Sequence, residues 1–269
     1  MEKHSVKITV LGARGSVPVS GSSFSRYGGA TTCALFCADG QYIVLDAGTG
    51  LMALPEEAML APSLPVLLTH AHVDHLLGFP LSPCAMRKGL ALDIYGATRD
   101  GLDVRAQLET LMKPPLWPVG PGALPANIRF HELPHNMRIG DVDVGSMEGS
   151  HPGGVSLLRL DAFGKRVVFA TDCTLEERLS SKLAEFARGC DLLLIDGQYL
   201  YEEWEERSGF GHSSWKYVAD FAKSEGVPMV RIIHHDPFRT DDELDKEAEE
   251  LRAMGHDFDF AKEGEVIEL

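Results

Sequence analysis

The stretch His70-Ala71-His72-Val73-Asp74-His75 puts three imidazoles and a carboxylate into six positions, directly after the apolar run Pro65–Thr69. That run reads as a short buried strand, so His70 and His72 leave it pointing to one side. A helix starting near Asp74 returns Asp74 and His75 towards the same spot. Core histidines usually occur singly and a buried aspartate needs a partner, so the block reads as a metal site. Further ligands stand at predicted strand ends: His151 in Gly149-Ser-His-Pro-Gly-Gly, Asp172 in Ala170-Thr-Asp-Cys and His234 in Ile233-His-His-Asp-Pro. Five imidazoles and two carboxylates suit Zn²⁺, with Mn²⁺ or Fe as alternatives. His212 lies just before a predicted helix that Ser213 or Ser214 would cap. From there it can donate a hydrogen bond to a substrate or protonate a leaving group, a role the metals do not supply.

These side chains need strands whose ends meet. Hydrophobic periodicity predicts strands over Val6–Leu11, Ala34–Cys37, Tyr42–Leu45, Pro65–Thr69, Leu92–Tyr95, Ile128–Leu133, Arg138–Met147, Val155–Leu160, Arg166–Thr171, Asp191–Ile195, Met229–Ile233 and Val266–Leu269. It predicts helices over Leu51–Leu60, Val73–Lys88, Arg99–Met112, Leu175–Arg188, Ser213–Glu225 and Asp241–Met254. Two strand-rich blocks, each followed by helical segments, imply two sheets covered outside by helices in a single domain over residues 1–269. The proline-rich stretch Pro114–Pro125 is a stiff surface loop whose Trp117 could wall a substrate site. The acidic runs Glu202–Glu206 and Asp241–Glu250 read as solvated helix faces.

Composition narrows the function classes. With 44% hydrophobic and 24% charged residues in 269, the chain can bury a core without staples. No window approaches the roughly 20 apolar residues of a membrane span. The N-terminal residues show no apolar signal core, and five cysteines without framework spacing suit a reducing compartment, so the expected location is cytoplasmic. Net charge is −15, which repels polyphosphates at long range and speaks against a surface for long nucleic acid. A small anionic substrate remains compatible, because a metal centre reverses the local field. Arg14 and Arg26, in a Gly/Ser-rich loop, are candidates for a forked contact to its phosphate. The oligomeric state is not legible, a homodimer being one option.

The His-x-His-x-Asp-His block with a later His, Asp and His resembles the metallo-β-lactamase fold superfamily of hydrolases. Arg14-Gly-Ser, Tyr27-Gly-Gly, Asp74-His-Leu-Leu-Gly, Gly211-His-Ser-Ser-Trp and His234-His-Asp-Pro are most similar to its phosphodiesterase branch, which contains ribonuclease Z-like enzymes and phosphoribosyl cyclic phosphodiesterases. The resemblance implies an α+β, four-layer αββα sandwich with two divalent ions at one edge between the sheets. It puts His70, His72 and His151 on one ion, Asp74, His75 and His234 on the other, and Asp172 between them. Asp74 would also orient the attacking water, and His212 would act on the phosphoryl group. The Gly/Lys-rich arm with which ribonuclease Z enzymes hold tRNA is missing here. The expected activity is therefore hydrolysis of a small phosphodiester, cyclic phosphates included. The alternative is a thioester, lactone or β-lactam hydrolase of the same fold.

Overall fold

The computed structural model describes residues 4–269. Fourteen strands form two seven-stranded sheets. The first holds β1 (Val6–Gly12), β2 (Cys33–Ala38), β3 (Gln41–Leu45), β4 (Ser63–Leu67), β5 (Ala91–Gly96), β6 (Asn127–Glu132) and β14 (Val266–Glu268), in the order β14-β1-β2-β3-β4-β5-β6. The second holds β7 (Asn136–Ile139), β8 (Val142–Glu148), β9 (Ser156–Ala162), β10 (Lys165–Ala170), β11 (Leu192–Asp196), β12 (Met229–Ile233) and β13 (Asp257–Phe260), in the order β13-β12-β11-β10-β9-β8-β7. Each sheet has an antiparallel half and a parallel half. In the first, β3 to β6 are parallel; in the second, β10 to β13 are.

Burial on both faces explains the sequence of the inner strands. Every residue of β2 and of β11 is buried, so these strands read as continuous apolar runs with no alternation. Three apolar slabs result. Ile8, Phe36, Leu45, Leu158, Phe169 and Leu194 fill the space between the sheets. Val44, Val66, Ile94 and Leu108 pack outside the first sheet, beneath α2 (Val104–Leu111) and short 3₁₀ turns. Leu193, Ile195, Leu183, Val218 and Leu251 pack outside the second, beneath α3 (Glu177–Phe186), α5 (Trp215–Ser224) and α6 (Asp241–Met254). The layers are thus αββα, an α+β fold.

Differences from the sequence reading have local causes. The helix predicted over Val73–Lys88 is a single turn, α1 (Val73–Leu76), followed by the 3₁₀ turn Phe79–Leu81. Pro80 and Pro83 remove backbone donors. Gly78 packs so tightly on Gly48 that a Cβ there would lie 1.9 Å from its carbonyl oxygen. Leu51–Leu60 is two 3₁₀ turns split at Pro55. The predicted strand Arg138–Met147 is the β7–β8 hairpin, turned at Gly140 with φ 55°. Two elements escaped the periodicity: β13, and α4 (Tyr201–Arg207), which carries the Glu202–Glu206 run on an exposed helix. Trp117 packs on the slab outside the first sheet.

The slab between the sheets holds both halves together. Phe169, 1% exposed on β10, faces it. Phe169→Ala should lower unfolding free energy by about 3–5 kcal/mol, read from urea denaturation.

Candidate metal centre

Strand ends bring the predicted ligands together. His70 and His72 follow β4 through Thr69, Asp74 and His75 lie in α1, and His151 sits between β8 and β9. Asp172 and His234 follow β10 and β12, which flank β11 in parallel, so both emerge at one edge. Ligands at the carboxyl ends of neighbouring parallel strands are a general arrangement in such sheets. Asp46, Asp172 and His234 all have left-handed backbones, at φ 59°, 49° and 62°. Such conformations cost non-glycine residues of order 1–3 kcal/mol each and cluster at functional sites.

Two ligand clusters result, sharing Asp172. In one, ring nitrogens of His70, His72 and His151 converge with Asp172; in the other, Asp74, His75 and His234 converge with it, all candidate atoms of a cluster within 4.8 Å of one another. His72 Nδ1 and His151 Nε2 face each other at 3.0 Å. Oδ1 of Asp172 lies 3.1 Å from His75 Nε2, and Oδ2 lies 3.2 Å from His234 Nε2 and 3.7 Å from His70 Nε2. Asp74 Oδ2 lies 3.1 Å from His234 Nε2 and 3.3 Å from His75 Nε2.

The remaining ring nitrogens fix which nitrogen is offered. His75 Nδ1 donates to Asp46 at 2.8 Å, His151 Nδ1 to the Gly211 carbonyl at 3.0 Å, and His234 Nδ1 to Gln198 Oε1 at 3.1 Å. Thr69 Oγ1 gives its proton to Asp46 and so accepts from His70 Nδ1 at 3.1 Å. Each Nε2 is thereby left with a lone pair aimed inward. Nε2 of His70 and of His75 are buried with no hydrogen-bond partner. Orphaned buried imidazole nitrogens beside carboxylates are what a cation would satisfy, so the donor set fits two divalent ions.

The electrostatics agree. Burial pushes the pKa of His70 well below its usual value, and those of His72 and His151 down as well, which favours neutral ligating rings. Around Asp172 burial works the other way, yet His234 and His75 outweigh it and hold its carboxyl well below the usual range. His234 and His75 also resist burial, because Asp172 and Asp74 draw protons to them; His234 is raised to about 9.

His212 stands over this centre. Its Nδ1 donates to Asp196 Oδ2 at 2.6 Å, and its ring stacks on His234 with centroids 4.7 Å apart. Asp196 ends β11 and also accepts from the Gln198 amide. Ser213, not a cap, ties the segment to the backbone of Cys173 and Leu175.

The arginines have other work. Arg14 is wholly buried and donates to the carbonyls of Gly28, Asp236 and Arg239. Arg26 pairs with Asp242 and Asp245 on α6. Neither offers a fork to substrate. His235 is packed between Tyr27 and Phe260 and bonds the Ala261 carbonyl, a structural role. Cys173 is buried and directed at the Ala170 carbonyl.

Sequence reasoning passed over the supports Asp46, Asp196 and Gln198. Asp46 and Asp196 carry the same signature as Asp172, an aspartate closing an apolar strand run, in Val44-Leu-Asp-Ala and Leu194-Ile-Asp-Gly. Gln198 carries no such signal, because its role depends on β11 lying beside β12.

A model of the β-lactamase superfamily domain matches residues 41–235, a span containing every candidate ligand. The chain belongs to that superfamily. A ribonuclease Z from Brevibacillus brevis is 31% identical over 90 residues, 34% of this chain and 27% of that enzyme. Among solved structures, the metallo-β-lactamase fold protein YhfI from Bacillus subtilis superposes with TM-score 0.74 at 20% identity, covering 98% of this chain and all of that one. A diphosphatase of the PhnP family superposes with TM-score 0.69 at 17% identity, covering 98% of both. These structural likenesses establish the superfamily fold across nearly the whole chain. Among the described residues no helix is long and apolar enough to cross a membrane.

Two tests follow from the geometry. Asp172→Ala should reduce bound metal below that of the unaltered protein, because each cluster loses a carboxylate and the ions lose charge compensation; elemental analysis after purification measures it. Cations must also displace protons from the raised histidines. Below about pH 9 His234 is protonated, so metal affinity should rise with pH between 6.5 and 9, about tenfold per unit for each proton displaced. Competition with a chromophoric chelator across that range reads the slope.

Proposed function

We propose that this protein is a phosphodiesterase that hydrolyses a small phosphodiester at a site holding two divalent ions. The whole chain would serve as one catalytic domain. The observation that carries the reading is the Asp196–His212 pair, set 2.6 Å apart beside the ligand clusters. His70, His72 and His151 would hold one ion, Asp74, His75 and His234 the other, with Asp172 shared. When bound, the ions supply charge for the phosphoryl oxygens and lower the pKa of a bound water. Zn²⁺ fits the histidine-rich set best, and Mn²⁺ or Fe would be accepted by the same residues.

The protein's own groups do the rest. Asp74 Oδ2 accepts from the Ser16 amide at 2.9 Å, which holds the carboxylate where it can also orient the attacking water. Asp196 accepts the hydrogen bond from His212 Nδ1 and fixes the ring, so Nε2 is the atom that can carry a proton to the departing alkoxide. A leaving alkoxide needs such a proton; a phenolate hardly does. Thioesters can open without it, because a thiolate is a weak base, so the dyad favours a substrate with an alkoxide leaving group, which an alkyl phosphodiester has.

The ribonuclease Z likeness favours RNA phosphodiesters as a second reading. The net charge of −15 supports the small substrate, since long-range repulsion weakens polynucleotide association. Efficient cleavage of precursor tRNA at physiological salt would decide for RNA.

A leaving-group series tests the mechanism. His212→Ala should keep its metals and lose about 10²–10⁴ in kcat on alkyl diesters. The loss should be much smaller on p-nitrophenyl diesters. Parallel lines for the two proteins would mean that His212 only positions substrate.

A further inference from the structure

A cavity of about 210 Å³ opens directly against the ligands His70 and His72. One wall is the turn Arg99-Asp100-Gly101-Leu102, where Arg99 and Leu102 exchange backbone hydrogen bonds. Asp100 and Gly101 have φ of 49° and 75°, the left-handed pair of a tight two-residue turn. Opposite it lies the loop Pro152–Gly154, which follows the ligand His151. Gln107 and Thr110 of α2 close the far end.

This wall is clamped from both sides. The Arg99 guanidinium pairs with Glu148 and donates to Ser156 Oγ at 3.0 Å, so a first-sheet loop is tied to the second sheet. Gln107 Nε2 donates to the carbonyls of Ala97 and Leu102, each at 2.8 Å. The Asp100 carboxylate has no partner among the described residues, and Leu102 is 42% exposed. None of these contacts buries core. They hold a rigid, partly apolar recess beside the ligands, with one unpaired negative charge on its rim.

Resting on the phosphodiesterase reading, we propose that this recess is the subsite for an organic substituent of the substrate, an uncharged group the size of one ring. Drug-sized ligands occupy roughly 300–1,000 Å³, so 210 Å³ admits one ring and not a polymer. Leu102, Ala71 and Pro152 supply apolar contact. The unpaired Asp100 carboxylate makes its side of the recess unsuited to a second anionic group, while Arg99 is held to Glu148 and Ser156 through its terminal nitrogens, its Nε being buried without a partner. Leu102, Thr110 and Asp100 would therefore set specificity while the ions hold the phosphoryl group.

Non-hydrolysable phosphonates separate the two parts. With both ions bound, phenylphosphonate should bind at least about tenfold more tightly than methylphosphonate, measured by calorimetry. Thr110→Trp, which fills the recess from the exposed face of α2, should abolish that preference while leaving metal content and methylphosphonate affinity unchanged. Leu102→Ala should weaken it. 4-Carboxyphenylphosphonate should bind less well than phenylphosphonate, and Asp100→Asn should narrow the gap. Equal affinities in the unaltered protein, or a ring preference that survives Thr110→Trp, would overturn the subsite while hydrolysis of bis-p-nitrophenyl phosphate still upheld the phosphodiesterase reading. Ring-selective binding without cleavage of any phosphodiester would leave the subsite standing and sink that reading.

Discussion

Asp172 is a fully buried carboxylate with imidazole nitrogens of His70, His75, His151 and His234 within 3.8 Å of its oxygens. A buried charge of this kind is tolerable only when it is compensated, and the surroundings are arranged for that purpose. Protons can compensate it partly, which is why His234 and His75 hold theirs so strongly. Divalent cations compensate it better, and the inward lone pairs of His70, His75, His151 and His234 provide for them. The left-handed backbones at Asp172, Asp46 and His234 are the conformational cost of aiming these groups at one place.

The sandwich makes that cost bearable. His70, His72, Asp172 and His234 follow strands whose last residues are buried on both faces, so those strands cannot shift to relieve the strain. Asp46 shows how the two clusters are coupled. It bonds His75 directly and His70 through Thr69, and so orients one ring in each cluster from β3. Small residues complete the fit: a Cβ at Gly15 would lie 2.4 Å from the His234 ring, and one at Gly211 would lie 2.4 Å from His151. An alanine at either place would push a ligand out of line.

Charge is used in two ways. Over the whole surface, an excess of acidic residues sets which partners approach. Inside, cations that look like substrate contacts in the sequence are structural. Arg14 loses solvent completely, which lowers its pKa against the pull of Asp241 and Asp236, and it joins the carbonyl of Gly28 in one loop to those of Asp236 and Arg239 in another. Neither Arg14 nor Arg26 is therefore free to meet a substrate phosphate.

Much of the centre was legible in the chain. Ligand chemistry depends on residue type and local spacing, and His70, His72, Asp74 and His75 are near one another whatever the fold. His151, Asp172, His212 and His234 could be picked out because a polar residue closing an apolar strand run, or preceding a helix, exposes its side chain at an element end. The layers were legible too, because strands buried on both faces demand unbroken apolar runs. What only the tertiary structure decided was pairing across distance. Arg14 turned inward to carbonyls, Arg26 paired with α6 at the surface, His235 became core, Gln198 became the partner of His234, and the Arg99 turn became a wall beside His72. None of these depends on a residue's own neighbours in sequence. Each follows from which strands lie side by side, and that is set by burial summed over both sheets.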